Sequence, residues 1–343
     1  MDKVKNQHFV PRCYLRNFAN KDERINVFDK EKNQIRVNQK IDNIASSRFF
    51  YDIDLEEIDE VLKKENLDDI DTLLPNEVKL IFKQACEEQF IEKWFSEKIE
   101  PELKNCINNL EAFYCLQRIE NIEKSFSIID SIKKTMSVLI VVQIIRSKEF
   151  RVTSIEQFPK IQLEMIKALD RKQGKDLSCL DGIKAEYKYP KACIPLLHAR
   201  MIMDEELIFS LAEELCKHIW YIGVNRTNKK TYTSDNPIIK IEHKFEPIVS
   251  NGGIASPGIE IVYPLSNDLF LIMKERVYHK DYEKHEMKYK LLSEDEIEIY
   301  NYNQVIQSYR CVFSSDNSFE LANRILKSNP SLSKINRMRT QIL

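Results

Sequence analysis

An amide, an imidazole and a guanidinium fall close together near the start of the chain, in Asn6-Gln7-His8-Phe9-Val10-Pro11-Arg12. His8 can serve as general base or acid near neutral pH, since an ordinary imidazole titrates at about 6.5. Arg12 can clamp a phosphate or carboxylate through its planar fork, and Gln7 can position the same substrate. Pro11 holds Val10 extended, and a helical turn starting there puts Tyr14, Leu15 and Phe18 on one anchoring face. A plainer reading competes, in which His8 caps a turn and Arg12 pairs with acidic side chains. Spacing alone leaves both open.

A second string, Thr231-Tyr232-Thr233-Ser234-Asp235-Asn236-Pro237, lies between two apolar runs. Asp235 has the chemistry to orient a histidine, bind a metal or act as a base, with Ser234 and Asn236 contacting substrate. The same residues also suit a turn that satisfies its own backbone. Gln143 and Arg146 close an apolar helical stretch, where a cation is favoured by the helix C-terminus and equally placed for a phosphate. Tyr263-Pro264-Leu265-Ser266 reads as a strand-to-turn corner.

Metal chemistry has weaker support. The eight cysteines, at 13, 86, 106, 115, 179, 193, 216 and 311, include no Cys-x-x-Cys clip and read as small buried apolar residues. The six histidines contain neither His-Glu-x-x-His nor His-x-His. The acidic run from Asp52 to Asp71 lacks the glycine and ligand spacing of a calcium loop, and reads as a solvated face or connector. No cofactor is demanded, and a divalent ion held by distant residues stays open.

The elements that must position these groups follow from periodicity. Residues 1–51 are β-rich, with Ile25–Phe28 and Gln34–Val37 as a hairpin and Phe49–Tyr51 as a short strand or buried plug. Residues 52–75 form the acidic connector. From about 76 to 217 the apolar spacing is helical, and Ser125–Phe150 is apolar nearly all round between Val138 and Ile145, as a central helix requires. A further helix is expected from Asp204 to Trp220. Residues 218–343 return to strands, at about 218–224, 237–241, 258–263, 269–273 and 311–313, with helices over Glu294–Ser308 and Phe319–Lys327. The fold class is therefore α+β: a helical block between parts of one mainly antiparallel sheet, in a single large domain 1–343.

Composition narrows the function. Of 343 residues, 43% are hydrophobic and 31% charged, which excludes a largely disordered chain. Lys+Arg at 52 nearly balance Asp+Glu at 54, so no global field recruits nucleic acid or an anionic membrane. Six glycines argue against a glycine-rich phosphate loop. The first residues lack an apolar signal region, and the apolar stretch Met136–Ile145 is too short to span a bilayer, so a soluble cytoplasmic protein is expected.

Together the polar strings resemble a bacterial and phage family of domains of unknown function. Its marks are Gln-His-x-Val-Pro-x-x-Tyr-Leu-x-x-Phe near the N-terminus, an Arg ending an apolar mid-chain helix, Thr-Ser-Asp-x-Pro, and Pro-Leu-Ser. They fall here on Gln7, His8, Val10, Pro11, Tyr14, Leu15 and Phe18, on Arg146, on Thr233, Ser234, Asp235 and Pro237, and on Pro264, Leu265 and Ser266. Asn303 fits as well, while Ser147 stands where a threonine is expected. The resemblance implies that these polar residues form one site.

Such a site suits phosphodiester cleavage. His8 would move the proton, Arg12 and Arg146 would neutralise the phosphorane, and Asp235 would orient His8 or hold a divalent ion. The leading expectation is a nuclease, on RNA more than DNA, acting as a toxin or antiphage effector. A sensor of nucleotides or phage proteins without turnover is one alternative. A hydrolase or transferase on a phosphorylated small molecule is the other.

Overall fold

Apolar residues at every second position of β2 (Arg24–Asp29) bury one face, and β2 pairs antiparallel with β3 (Gln34–Lys40) across a polar turn. A computed structural model describes residues 3–64, 76–117, 130–172, 190–245, 251–337 and 339. Against β2 lies β11 (Cys311–Ser314), in the register Phe28↔Val312, and β6 (Thr233–Ser234) completes an antiparallel sheet in the order β3-β2-β11-β6. Both chain ends thus share one sheet, as the sequence predicts.

A second sheet takes its strands from the C-terminal part alone. Its order is β10 (Tyr289–Leu291), β5 (Ile219–Val224), β9 (Leu269–Lys274), β8 (Ile259–Pro264) and β7 (Ile239–Glu242), antiparallel except where β10 meets β5. The residues of β5, β8 and β9 are buried along their whole length. Trp220, Ile222, Leu271 and Met273 face the helical block, while Tyr221, Val262, Phe270 and Ile272 face the helix Glu294–Gln307. A sheet apolar on both faces needs cover on both sides. The single sheet expected from the sequence is divided into three, of two, five and four strands. A short pair, β1 (Asn6–His8) with β4 (Ser46–Arg48), aligns His8 with Ser46.

Between the sheet segments runs the helical block. Its central helix, Asp130–Arg146, buries Met136, Leu139, Ile140, Val141, Val142 and Ile145 around its whole circumference. It packs against Glu205–Lys217, which stops before the expected Trp220. Trp220 belongs to β5, and its indole N–H caps that helix by donating to the Leu215 carbonyl at 2.8 Å. The central helix breaks at Ser147, whose hydroxyl accepts the Phe150 amide and starts a new turn, Lys148–Arg151. Phe50 and Tyr51 are the buried plug and not a strand. The end of the acidic connector (65–75), the start of the helix expected from Ser125, and residues 173–189 with Cys179 lie outside the described residues. No helix among the described residues is long and apolar enough to cross a membrane.

Tyr14 ties three of these parts together. Its hydroxyl meets Thr233 Oγ1 at 2.7 Å and donates to the Pro264 carbonyl at 2.8 Å, and its ring stacks on Tyr263 at 5.0 Å. Tyr14→Phe would keep the stacking, leave the Pro264 carbonyl without its donor and leave the Thr233 hydroxyl without its acceptor. It is expected to lower stability by about 1–3 kcal/mol, read as a lower urea midpoint with an unchanged slope.

Candidate functional site

The site is built around Arg146. Because the helix it ends is apolar nearly all round between Val138 and Ile145, its guanidinium is carried into the core, where it is 1% exposed. Nη2 donates to the His8 carbonyl at 2.5 Å and to Glu100 Oε1 at 3.2 Å, and the guanidinium lies 3.9 Å from the centre of the Phe95 ring. Phe95 is set there by a π-helical turn, Phe95–Ile99, a distortion frequent at functional sites. Nε and Nη1 of Arg146 find no acceptor among the described residues. A buried cation with unused donors is an anion site in chemical terms.

His8 and two carboxylates share this neighbourhood. Burial, with help from Arg12 and Arg146, lowers the His8 pKa, and its Nε2 is buried without a partner among the described residues. Glu92 is pushed the other way, up to about 7, by burial against the pull of Arg146, and its Oε2 is equally unpartnered. Next to Glu92 lies a recess of about 10 Å³ lined by Gln7, Asp52 and Gln89, the space of one water molecule at most. Gln89 adopts φ 55° while its side chain bonds the Val4 backbone and the Asp52 carboxylate. Left-handed backbone at a non-glycine is strain of the kind found at functional sites.

Arg12 lies at the surface, within electrostatic reach of His8 and Glu92. It is half exposed and pairs with Asp42 at 2.8 Å, the plainer of the two readings of its sequence. Gln7 is wholly buried and spends its amide on structure, donating to Asp52 and accepting the Tyr51 amide at 2.6 Å.

Asp235 keeps other company. Its Oδ2 accepts the amides of Arg310 and Cys311 at 2.9 and 2.7 Å, and its charged surroundings are Lys30 and Glu149. It shares none of the groups around His8, so it does not orient that imidazole. The reason is topological: Asp235 follows β6 at the edge of one sheet, while His8 ends β1 in another. Ser234 bonds Gln304 and the Asn236 carbonyl, and Asn236 donates to the Gln307 carbonyl, so both serve the turn. Asn303 bonds within its own helix, and Asn301 holds the Tyr232 amide instead.

Two other buried polar clusters are closed by their own partners. Arg151 donates to His198 Nδ1 at 2.9 Å and to the Phe50 carbonyl at 2.6 Å, so His198 carries its proton on Nε2, facing the Ile145 carbonyl. Glu260 is enclosed by Lys274, His243 and Tyr300 at 2.6–2.8 Å. Among the described residues, no three His, Cys, Asp or Glu side chains gather as a metal site.

A family model for a protein of unknown function, DUF4238, matches residues 6–318, which takes in every motif above. The chain belongs to the DUF4238 family. No curated protein and no solved structure matches it. In this DUF4238 chain the polar motifs are brought together in pairs, with Arg146 bound to the His8 backbone and Tyr14 to Thr233 and Pro264.

Glu92 and Glu100 are members of the site that sequence reasoning passes over. Both sit in a stretch rich in charge, where nothing in type or spacing separates a buried glutamate from a solvated one. Glu92 gives a measurable signature. A carboxyl that titrates at about 7 when folded, against an ordinary 4.5, holds a proton the unfolded chain releases. Stability from this group is therefore lost as pH rises from the ordinary value through the folded one. Glu92→Gln stays neutral, and is expected to match the wild type near about pH 4 and to exceed it by about 1–2 kcal/mol near about pH 8. Urea unfolding at the two pH values checks this.

Proposed function

We propose that the chain is a nuclease that cleaves RNA at the His8–Glu92–Arg146 cluster. The observation that carries the reading is the order in which its acid and base titrate. Burial beside two guanidiniums lowers the imidazole of His8, while burial raises the carboxyl of Glu92 to about 7. Near neutral pH the base is then free of its proton while much of the acid still carries one, the protonation state that acid–base catalysis needs.

RNA brings its own nucleophile, which suits a cluster with one base, one acid and one phosphate clamp. His8 Nε2 takes the proton of the 2′-hydroxyl as that oxygen attacks phosphorus. The bond to the 5′-oxygen breaks, and Glu92 supplies the proton that oxygen needs to leave. A 2′,3′-cyclic phosphate remains. Arg146, through Nε and Nη1, and Arg12, released from Asp42, oppose the charge gathering on the phosphorane. No step here requires a metal, and a divalent ion at the carboxylates is the alternative that chelation tests.

The finer expectations from the sequence belong to the same reading: a bacterial or phage origin, a toxin or antiphage role, and a cytoplasmic setting where RNA is the target. A second reading rests on the depth of Arg146. A guanidinium 1% exposed favours a small phosphorylated ligand, sensed or turned over, above a long strand.

The test is incubation of the purified protein with total RNA, single-stranded DNA and plasmid DNA, with magnesium or with EDTA. Cleavage of RNA alone is expected in both lanes, with an optimum between the His8 limb below about 6.5 and the Glu92 limb near about 7. His8→Ala is expected to lose about 10²–10⁴-fold in kcat while a nucleotide still binds. An intact RNA ladder, with nucleotide binding lost in Arg146→Met, would select the sensor.

A further inference from the structure

The residues just after Arg146 reach a second cluster that the nuclease reading does not use. Lys148 Nζ lies 4.9 Å from the centre of the Tyr309 ring, and the guanidinium of Arg339 lies at the same distance from it. Arg339 is held by Glu149 through Nε at 2.7 Å, and its Nη2 is buried without an acceptor. Lys148 has no carboxylate partner among the described residues, and is half-buried. Asp235 stands within electrostatic reach of Lys148, and its Oδ1 is buried with no donor. Arg337 and Lys30 add further positive charge, while Glu156 is on the exposed rim.

These groups have an uneven demand. Lys148 and Arg339 Nη2 are donors without an anion, whereas Asp235 Oδ1 is an acceptor that any anion approaching it must satisfy with a proton. A sulfate or a phosphodiester has no proton to give near neutral pH. A free phosphate or a phosphate monoester keeps a P–OH in at least part of its population, and can donate it to the carboxylate while its other oxygens accept from the cations.

We propose that Lys148, Arg339 and Asp235 form a second anion site, selective for a phosphoryl group that carries its own hydroxyl. The turn Lys148–Arg151 joins it to the Arg146 cluster, yet its ligand and its residues are separate. Asp235 has a role here that does not involve His8: it reads the protonation of the anion.

The test is calorimetric titration of the full chain at about pH 6.5 with inorganic phosphate, adenosine 5′-monophosphate and sulfate, at matched ionic strength. Phosphate is expected to bind at least about tenfold more tightly than sulfate, the worth of one hydrogen bond to a charged group. The nucleotide arm separates a free phosphate ligand from a monoester end. Lys148→Met, on a half-buried side chain that leaves the core intact, is expected to lose phosphate binding about tenfold or more. Asp235→Asn can still accept both backbone amides, and its new N–H₂ can donate to sulfate. It should therefore bring sulfate within about threefold of phosphate. Equal binding of phosphate and sulfate by the wild type, no binding of either, or phosphate binding unchanged in Lys148→Met would each overturn the site. Because no RNA is involved, its failure leaves the nuclease reading untouched.

Discussion

A guanidinium buried at the end of an apolar helix is the constraint around which this molecule is arranged. The helix Asp130–Arg146 is apolar nearly all round between Val138 and Ile145, so its last residue is delivered into the core together with its charge. Bringing a cation out of water is costly, and the cost is met only by partners placed with care. Three are supplied from three directions: the His8 carbonyl from the N-terminal strand, Glu100 from the next helix, and the face of Phe95 from a π-helical turn. The favourable interaction of a cation with a helix C-terminus adds to them. Removing any one leaves charge exposed to a low dielectric, which explains why a distorted helix and a left-handed Gln89 are tolerated next to it.

The turn after Arg146 extends the same logic. Ser147 caps a short helix, and the cations on it diverge: Lys148 towards Tyr309, and Arg151 towards Phe50 and His198. One corner of the chain therefore connects the N-terminal strand, the buried plug and the C-terminal segment. Polar residues elsewhere in the motifs do different work. Gln7, Ser234 and Asn236 satisfy backbone groups in tight turns, and Tyr14 pins a turn to two strands. A motif rich in polar residues can thus mark a junction where backbone must be satisfied, with chemistry confined to the few atoms left unpaired.

Much of the fold is readable because its patterns are long. The hairpin β2–β3 carries period-two spacing, β5, β8 and β9 are apolar runs of six residues, and the helix Glu294–Gln307 is long enough to be recognised. β1, β4 and β10 span three residues each, too short for any period to register. Division into separate sheets was hidden for another reason. An apolar run shows that a strand is buried, and does not show on which neighbour. Lys30 illustrates the limit for the site: it belongs to a polar turn, where a lysine is ordinarily solvated, yet it is fully buried and donates to the carbonyls of Val305 and Ser308. Its burial is created by a helix more than 270 positions away in sequence, which no local window contains.

The balance of charge bears on how a polyanion could reach the Arg146 cluster. A net charge of −2 supplies no long-range attraction, so recognition must begin at contact. Arg12 is suited to that step. Its pair with Asp42 is half exposed on both sides, and such pairs contribute only about 0–1 kcal/mol. A phosphate replacing that carboxylate therefore sacrifices little. Beneath it, His8 is closed by burial and Arg146 by burial and Phe95, where water screens charge poorly and each hydrogen bond to an anion counts for more. The weak pair outside and the strong field inside work in sequence: the first yields easily, and the second rewards only a ligand that offers oxygens to Arg146. In the proposed function, selectivity then resides in depth of entry, which needs no broad basic face.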